Sequence, residues 1–163
     1  MPYTIREVEE KDNPQIEQVI RSCLIEFGGN REGLAWADPI LSTLFKAYEA
    51  EEECYWVIER EDRKIVGGAG IGNVYSLPGV CELQKMYCLP EIRGTGLSHQ
   101  LMKQALSFAK QYYTCCYIET LSDMVAANKF YQKYGFQALT EPLLKTEHYA
   151  CDVWYQKKLG GNQ

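Results

Sequence analysis

Arg93-Gly94-Thr95-Gly96-Leu97-Ser98 sits between a strand-like segment and a helix-like one, and that position gives it its meaning. Upstream, Val80 to Cys88 reads as a strand, and Pro90 closes it because proline cannot continue a hydrogen-bonded ladder. Downstream, Leu97, Leu101, Met102, Ala105, Leu106 and Ala109 recur at helical spacing as one apolar stripe, and the strand-like Cys115-Cys116-Tyr117-Ile118-Glu119 follows. A glycine turn in such a unit has two readings. Glycines let the backbone curl so that successive N–H groups converge, and the helix start adds unpaired donors and partial positive charge. Together these make a site for a pyrophosphate, with Arg93 steadying the turn or its anion. The same glycines also serve a plain tight connection between strand and helix. Two other phosphate motifs are excluded. The third glycine and the acidic residue of a dinucleotide fingerprint are missing, and no Gly-Lys-Ser/Thr follows to make a Walker loop.

The flanking sequence supplies the rest of a mixed α/β domain. Asn13-Pro14 gives a cap and a first-turn proline for a helix whose Ile16, Val19, Ile20, Cys23, Leu24 and Phe27 share a face, and Gly28-Gly29 ends it. Residues 30–38 read as a loop exposing Leu34 and Trp36. A short helix follows, with Pro39 near its first turn and Leu41, Leu44, Phe45 and Tyr48 inward. Strands at 54–59 and 64–74, joined by Arg60-Glu61-Asp62-Arg63, predict a hairpin. A last helix is expected over 123–134, stopped by Gly135, then strands at 136–139 and 150–156 and a loose tail at Gly160-Gly161.

Composition narrows the function classes. At 163 residues with 46% apolar side chains, the chain suits a single domain over 1–163 with one continuous core. A net charge of −5 argues against nucleic acid as partner, because phosphate neutralisation needs a basic surface. Seven cysteines without C-x-x-C pairs read as reduced thiols in a cytoplasmic protein, not as a disulfide framework or metal site. Neither a signal sequence nor a run of about 18–20 apolar residues stands out, so a soluble protein without a membrane partner is expected.

Around the glycine turn the chain resembles the GCN5-related N-acetyltransferase (GNAT) family, whose cofactor motif is Gln/Arg-x-x-Gly-x-Gly/Ala after a strand ending near proline. Arg93, Gly96 and Met86-Tyr87-Cys88-Leu89-Pro90 carry the match, with Ser98 where the family has glycine or alanine. A second family segment appears as Ala127-Asn128-Lys129-Phe130-Tyr131-Gln132-Lys133-Tyr134-Gly135-Phe136, in the right order and spacing. The resemblance spans about residues 3–157 and is strongest from Val80 to Phe136. It implies a twisted, mostly antiparallel sheet of six to seven strands with helices on both faces, and acetyl-CoA as cosubstrate without a metal. It also implies an amine of a small molecule or peptide as acceptor. Homodimers are common in that family.

The resemblance assigns roles that the chemistry makes sensible. Direct transfer to an amine needs a base, because an alkylammonium has a pKa of about 10.4. Glu82 and Glu119 are the candidates. On strict alternation Glu82 shares a face with Gln84, Met86 and Cys88, and Glu119 ends the next strand. Backbone N–H groups of Tyr87 or Cys88 are expected to hold the developing oxyanion, and Met86 to Cys88 to pair with the pantetheine arm. Residues Arg93, Gly94, Thr95, Gly96, Leu97 and Ser98 would hold the phosphates. Tyr131 matches the family's proton donor to the leaving thiolate. Asn128, one turn before it, is a candidate for the coenzyme amide, although Met124 stands where relatives often carry an asparagine.

Each of these residues also has a plain role: a surface glutamate, a packed tyrosine. On a strand, His148 and Cys151 would face opposite sides, which disfavours a thiol dyad, though His148 remains a candidate acceptor-site base. Cys115 and Cys116 read as small buried hydrophobes, and His99 as solvent-facing or near a phosphate. Two rival functions stand beside catalysis. One is an inactive module that senses or binds acyl-CoA, which intact Tyr131 and Glu82 disfavour. The other is a structural subunit associating through Trp36, Phe45 and Trp56.

Overall fold

A computed structural model describes residues 2–160; Gly161 of the expected tail lies outside them. Seven strands form one sheet: β1 (Tyr3–Glu7), β2 (Cys54–Arg60), β3 (Ile65–Asn73), β4 (Val80–Cys88), β5 (Cys115–Thr120), β6 (Gln137–Leu139) and β7 (Val153–Lys158). Their spatial order is β1-β2-β3-β4-β5-β7-β6, and only the β4–β5 pair is parallel. Four α-helices accompany them: α1 (Asn13–Glu26), α2 (Leu44–Ala47), α3 (Leu97–Ala109) and α4 (Val125–Lys133).

Two apolar layers sandwich the sheet. On one face Ile16, Ile20 and Leu24 of α1 and Leu44 of α2 pack on Tyr55, Val57 and Ile65. On the other, Leu101, Met102 and Ala105 of α3 and Tyr131 of α4 meet Trp56, Val66 and Ile118. The expected helices on both faces are therefore present. Each apolar stripe finds the sheet face whose side chains alternate toward it.

One irregularity shapes the centre of the sheet. Across β3 and β4, Gly68 faces Tyr87 while Gly70 faces Gln84, so Lys85 and Met86 lie opposite Ala69 alone. This is a β-bulge, and Lys85 takes a φ of 49° there, held by the Tyr55 hydroxyl, which donates to its carbonyl at 2.8 Å. The extra residue resets the alternation. Gln84 meets Tyr48 of the α1 layer, whereas Met86 and Cys88 pack with the α3–α4 layer. The expected common face of Glu82, Met86 and Cys88 is corrected accordingly: the bulge puts the last two behind the sheet.

The parallel pairing is also brief. Val80, Cys81 and Glu82 face Cys115, Cys116 and Tyr117, and beyond Glu82 the two strands part. β5 turns instead to β7, pairing along its whole length from Cys115–Lys158 to Thr120–Val153. The sheet opens in its middle as a result.

Several boundaries differ from the sequence expectation. The short second helix is a 3-10 turn (Pro39–Ser42) and then α2, broken at Thr43. Leu34 is buried, and Trp36 is half-covered by the Arg21 guanidinium 4.6 Å over its ring. The last strand begins at Val153, not at 150, because residues before it turn: Cys151 N–H donates to His148 O at 3.1 Å and Ala150 N–H to Gly33 O at 3.0 Å.

Candidate active site

The glycine turn has the geometry of an anion cradle. Gly94 and Gly96 take φ values of 77° and 89°, the left-handed region that side chains disfavour, and a Cβ on either would meet nothing within 4 Å. Conformation and an open approach, not crowding, require glycine at these positions. The Thr95 hydroxyl donates to Ile92 O at 2.6 Å, and the Leu97 amide reaches Thr95 Oγ1 only at 3.4 Å. The amides of Gly94, Gly96, Ser98 and His99 have no acceptor among the described residues; Gly96 is the N-cap of a 13-residue helix, and Ser98 and His99 lie in its first turn. Leu97 contributes its backbone alone, since its side chain is core.

Arg93 steadies this turn. Its guanidinium forms a two-point bond to Glu26 of α1 at 2.7 and 2.8 Å and donates to Cys88 O at 3.0 Å. The turn is thereby tied to α1 and to the end of β4 together. From it a groove of about 350 Å³ runs along Met86, Tyr87 and Cys88 on one wall and Ala127, Phe130 and Tyr131 on the other. Leu89 N–H donates to Val66 O at 2.9 Å, so by the alternation of an antiparallel pair the Cys88 amide turns away from β3, toward the side β5 has left. Of the two amides considered, Tyr87 and Cys88, only that of Cys88 faces the opening. Tyr131 is buried with its ring against Tyr155 and Phe136, and burial raises its phenol above the usual tyrosine range. It therefore stays protonated at neutral pH, the state a proton donor needs.

Across the parted strands lies a second, smaller cavity of about 60 Å³, walled by Glu82, Gln84, Glu119, His148 and Cys151 and roofed by Leu24, Leu34 and Ala35. Tyr87 and Met124 line both spaces, so cavity and groove meet at the opening of the sheet. A chain of hydrogen bonds fixes the carboxylates. Tyr48 donates to Gln84 at 2.6 Å and Gln84 to Glu82 at 2.9 Å, while Thr146 and Tyr117 donate to the two oxygens of Glu119 at 2.8 and 3.1 Å. Asp38 binds Lys85 at 2.6 Å and His148 Nε2 at 2.9 Å, and His148 Nδ1 faces Glu119 at 3.6 Å.

The charges follow from these contacts. Burial raises the Glu82 carboxyl above the usual glutamate range; Gln84 opposes the shift and the negative Glu119 adds to it. Burial would also lower the His148 imidazole, but the hydrogen bond and charge of Asp38 outweigh it and raise the group. Asp38 is held below its ordinary range despite burial, chiefly by His148 and Lys85. Burial pushes the Cys151 thiol up to about 12, which makes it a poor nucleophile.

The structure thus gathers Glu82, Glu119, Met86, Tyr87, Cys88, Arg93, the turn residues and Tyr131 around one continuous opening. Asn128 departs from its expected place. Its amide donates to Leu121 O and Met124 O at 2.9 and 2.7 Å, and its carbonyl accepts from Tyr155 at 2.6 Å, so the side chain ties down the start of α4 and is not free for a coenzyme. His148 and Cys151 share one cavity, because they stand in a loop and not on a strand. His99 is half-buried, its Nδ1 2.8 Å from the Tyr134 hydroxyl. Sequence patterns missed Asp38 and Lys85; their one signal was a lysine inside the strand-like Val80–Cys88.

A sheet parted beside an amide-lined turn, with a covered phenol on one side and buried carboxylates on the other, is the frame of an acyltransferase. Comparison with known proteins agrees. Residues 16–136 match the Acetyltransferase (GNAT) family. Over 158 residues the chain is 37% identical to the uncharacterised N-acetyltransferase YjgM of Escherichia coli K12, covering 95% of this chain and 94% of that protein. A GNAT-family acetyltransferase from Staphylococcus aureus Mu50 superposes with a TM-score of 0.84 over 98% of this chain and 100% of its own, at 19% identity. The N-acetylglutamate synthase of Neisseria gonorrhoeae, solved with coenzyme A and L-arginine, matches with a TM-score of 0.72 at 15% identity, over 96% of this chain and 33% of that one. The chain belongs to the GCN5-related N-acetyltransferase family, whose members use acetyl-CoA to acylate amine acceptors.

Proposed function

We propose that this chain, as one catalytic domain in the cytoplasm, moves an acetyl group from acetyl-CoA directly to the amine of a small molecule or peptide. One observation carries the proposal: a groove starting at four unclaimed amides leads through the parted strands to a pair of buried carboxylates. The residues present fit coenzyme A. Gly94, Gly96, Ser98 and His99 offer backbone donors to a pyrophosphate, and the unpaired edge of β4 from Met86 to Cys88 offers its backbone to the pantetheine arm.

Acetyl-CoA, when bound, supplies a thioester carbonyl for the amine to attack and a thiolate to leave. Glu82 takes the proton from the incoming ammonium, directly or through water. Its raised carboxyl pKa brings it closer to the working pH, which strengthens it as a base. Glu119, held by two hydroxyls, stabilises the cationic acceptor while it waits. The Cys88 amide donates to the carbonyl oxygen as negative charge gathers there. Tyr131 would give its proton to the departing sulfur, and the second proton that the nitrogen sheds as the amide forms would restore the phenol through solvent.

The test has two parts. Calorimetric titration with acetyl-CoA should show one site per chain, and an amine panel should release free thiol. Absence of any heat with acetyl-CoA or coenzyme A would refute the assignment, whereas binding without thiol release from every amine would favour the acyl-CoA-sensing alternative.

A further inference from the structure

We propose that the acceptor is an unbranched primary amine, R–CH2–NH2, with no carboxylate on the carbon that bears the nitrogen. This rests on the acetyl-transfer reading above and specifies what the smaller cavity admits.

Space gives the first argument. The cavity measures about 60 Å³. One water-sized group needs roughly 10–15 Å³ on that scale, so about four to six such groups fit. An aminomethyl head takes about two of these places and leaves room for a short piece of chain, whereas a head branched by a carboxylate takes about five and leaves almost none.

Charge gives the second. Glu82 and Glu119 wall the cavity, and the cations beside them are already engaged. Lys85, with 5% of its side chain exposed, is bound to Asp38 at 2.6 Å. His148 gives Nε2 to the same carboxylate at 2.9 Å and turns Nδ1 toward Glu119 at 3.6 Å. An α-carboxylate would share this enclosure with two carboxylates and find no unpaired cation among the lining residues. Arg31 is exposed and outside the lining; its charge is felt at Cys151 and Asp152. Leu24, Leu34 and Ala35 meanwhile offer an apolar wall to a hydrocarbon arm.

The test uses matched probes on the whole chain: tyramine and tyrosine, histamine and histidine, agmatine and arginine, with each amino acid's amide as a third arm separating charge from branching. Acetyl-CoA binding is first checked by calorimetry. Thiol release then gives kcat/KM, and titration of each probe into coenzyme A-loaded protein gives an affinity independent of turnover. Each amine should exceed its acid by about a hundredfold or more, since juxtaposed like charges cost several kcal/mol, with the neutral amides between. An acid that equals or beats its amine overturns the inference and leaves acetyl transfer standing. A loaded protein that neither binds nor acetylates the amines overturns the inference too, and leaves acetyl transfer standing only where another acceptor still releases thiol. Failure to bind acetyl-CoA at all removes both readings. In Asp38→Asn the freed Lys85 charge should narrow the amine-to-acid ratio at least about tenfold, and an unchanged ratio in the folded variant overturns the charge argument. The wild-type ratios decide the matter whether or not that variant folds.

Discussion

Substituting Gly96 by glutamate tests whether coenzyme binding depends on the glycine turn. The backbone there holds φ at 89° with nothing within 4 Å of a Cβ, so the new side chain meets no wall, and the cost to folding is conformational. A left-handed non-glycine residue costs about 1–2 kcal/mol, which for a domain of this size lowers Tm by roughly 2–8 °C. The cost to binding is electrostatic. A carboxylate about 5 Å from a phosphate charge costs about 3 kcal/mol at an effective dielectric of ~20, falling toward 1 kcal/mol as water screens it. Kd for acetyl-CoA should therefore rise at least about fivefold and up to roughly 150-fold. Gly96→Asn is the companion, because asparagine tolerates the left-handed region and adds no charge; it should keep most of the affinity. Isothermal calorimetry with a thermal melt on each variant separates the two costs. A folded Gly96→Glu protein with wild-type affinity would show that these amides do not face the pyrophosphate, and equal losses in both variants would place the effect in the backbone rather than the charge.

Tyr131→Phe keeps the ring packing against Tyr155 and Phe136, so Tm and the KM for acetyl-CoA should hardly move while kcat falls by about a hundredfold; equal rates would remove Tyr131 from proton transfer. Glu82→Gln should slow the enzyme most near neutral pH. The ratio to wild type should shrink below the raised Glu82 pKa, where the wild-type carboxyl is itself protonated, and again above about pH 10, where the amine loses its proton unaided; a flat ratio would move the base elsewhere. The same variant has a stability signature of definite sign. A carboxyl whose folded pKa lies above its unfolded one favours folding below the unfolded value and loses that contribution as pH rises through the folded value. The permanently neutral glutamine should thus raise Tm over wild type increasingly toward pH 8. Asp38→Asn strands Lys85 in a site that leaves 5% of its side chain exposed. The loss should be about 3–5 kcal/mol, a fall in Tm of roughly 6–20 °C by differential scanning calorimetry.

The sheet, the helices on both faces and the glycine turn at the start of α3 were legible because each rests on local signals. Leu97, Leu101, Met102 and Ala105 repeat at helical spacing, Pro90 ends a strand, and Gly94 and Gly96 announce positive φ. None of these needs a distant partner to be read. The start of α4 was misplaced by two residues for a tertiary reason: Asn128 folds back on Leu121 and Met124 while Tyr155 of β7 holds its other end. No periodicity within residues 123–134 reports a hydroxyl arriving from position 155.

The cavity around Glu82 and Glu119 was hidden by one inserted residue and three distant segments. Strict alternation along Val80–Cys88 puts Glu82 and Met86 on one face, and it fails at Lys85 because the bulge there is set across the sheet, by Tyr55 donating to the Lys85 carbonyl and by Gly68 and Gly70 leaving Ala69 opposite two residues. That slip has a structural consequence. It places the Glu82 carboxylate in the smaller cavity and Met86 and Cys88 along the groove, groups that unbroken alternation would have crowded onto one face. The bulge also turns the Lys85 ammonium inward, where Asp38 from the loop after α1 and His148 from the loop before β7 close on it. Those loops carry no shared pattern, and their contact spans 110 residues of sequence. The bulge that separates cavity from groove therefore also requires the buried Asp38 carboxylate that neutralises the lysine. On the proposed reading, in which the turn at Gly94 to Ser98 holds the coenzyme, a change at Asp38 should disturb acceptor selectivity and stability together while coenzyme affinity stays within about twofold of wild type.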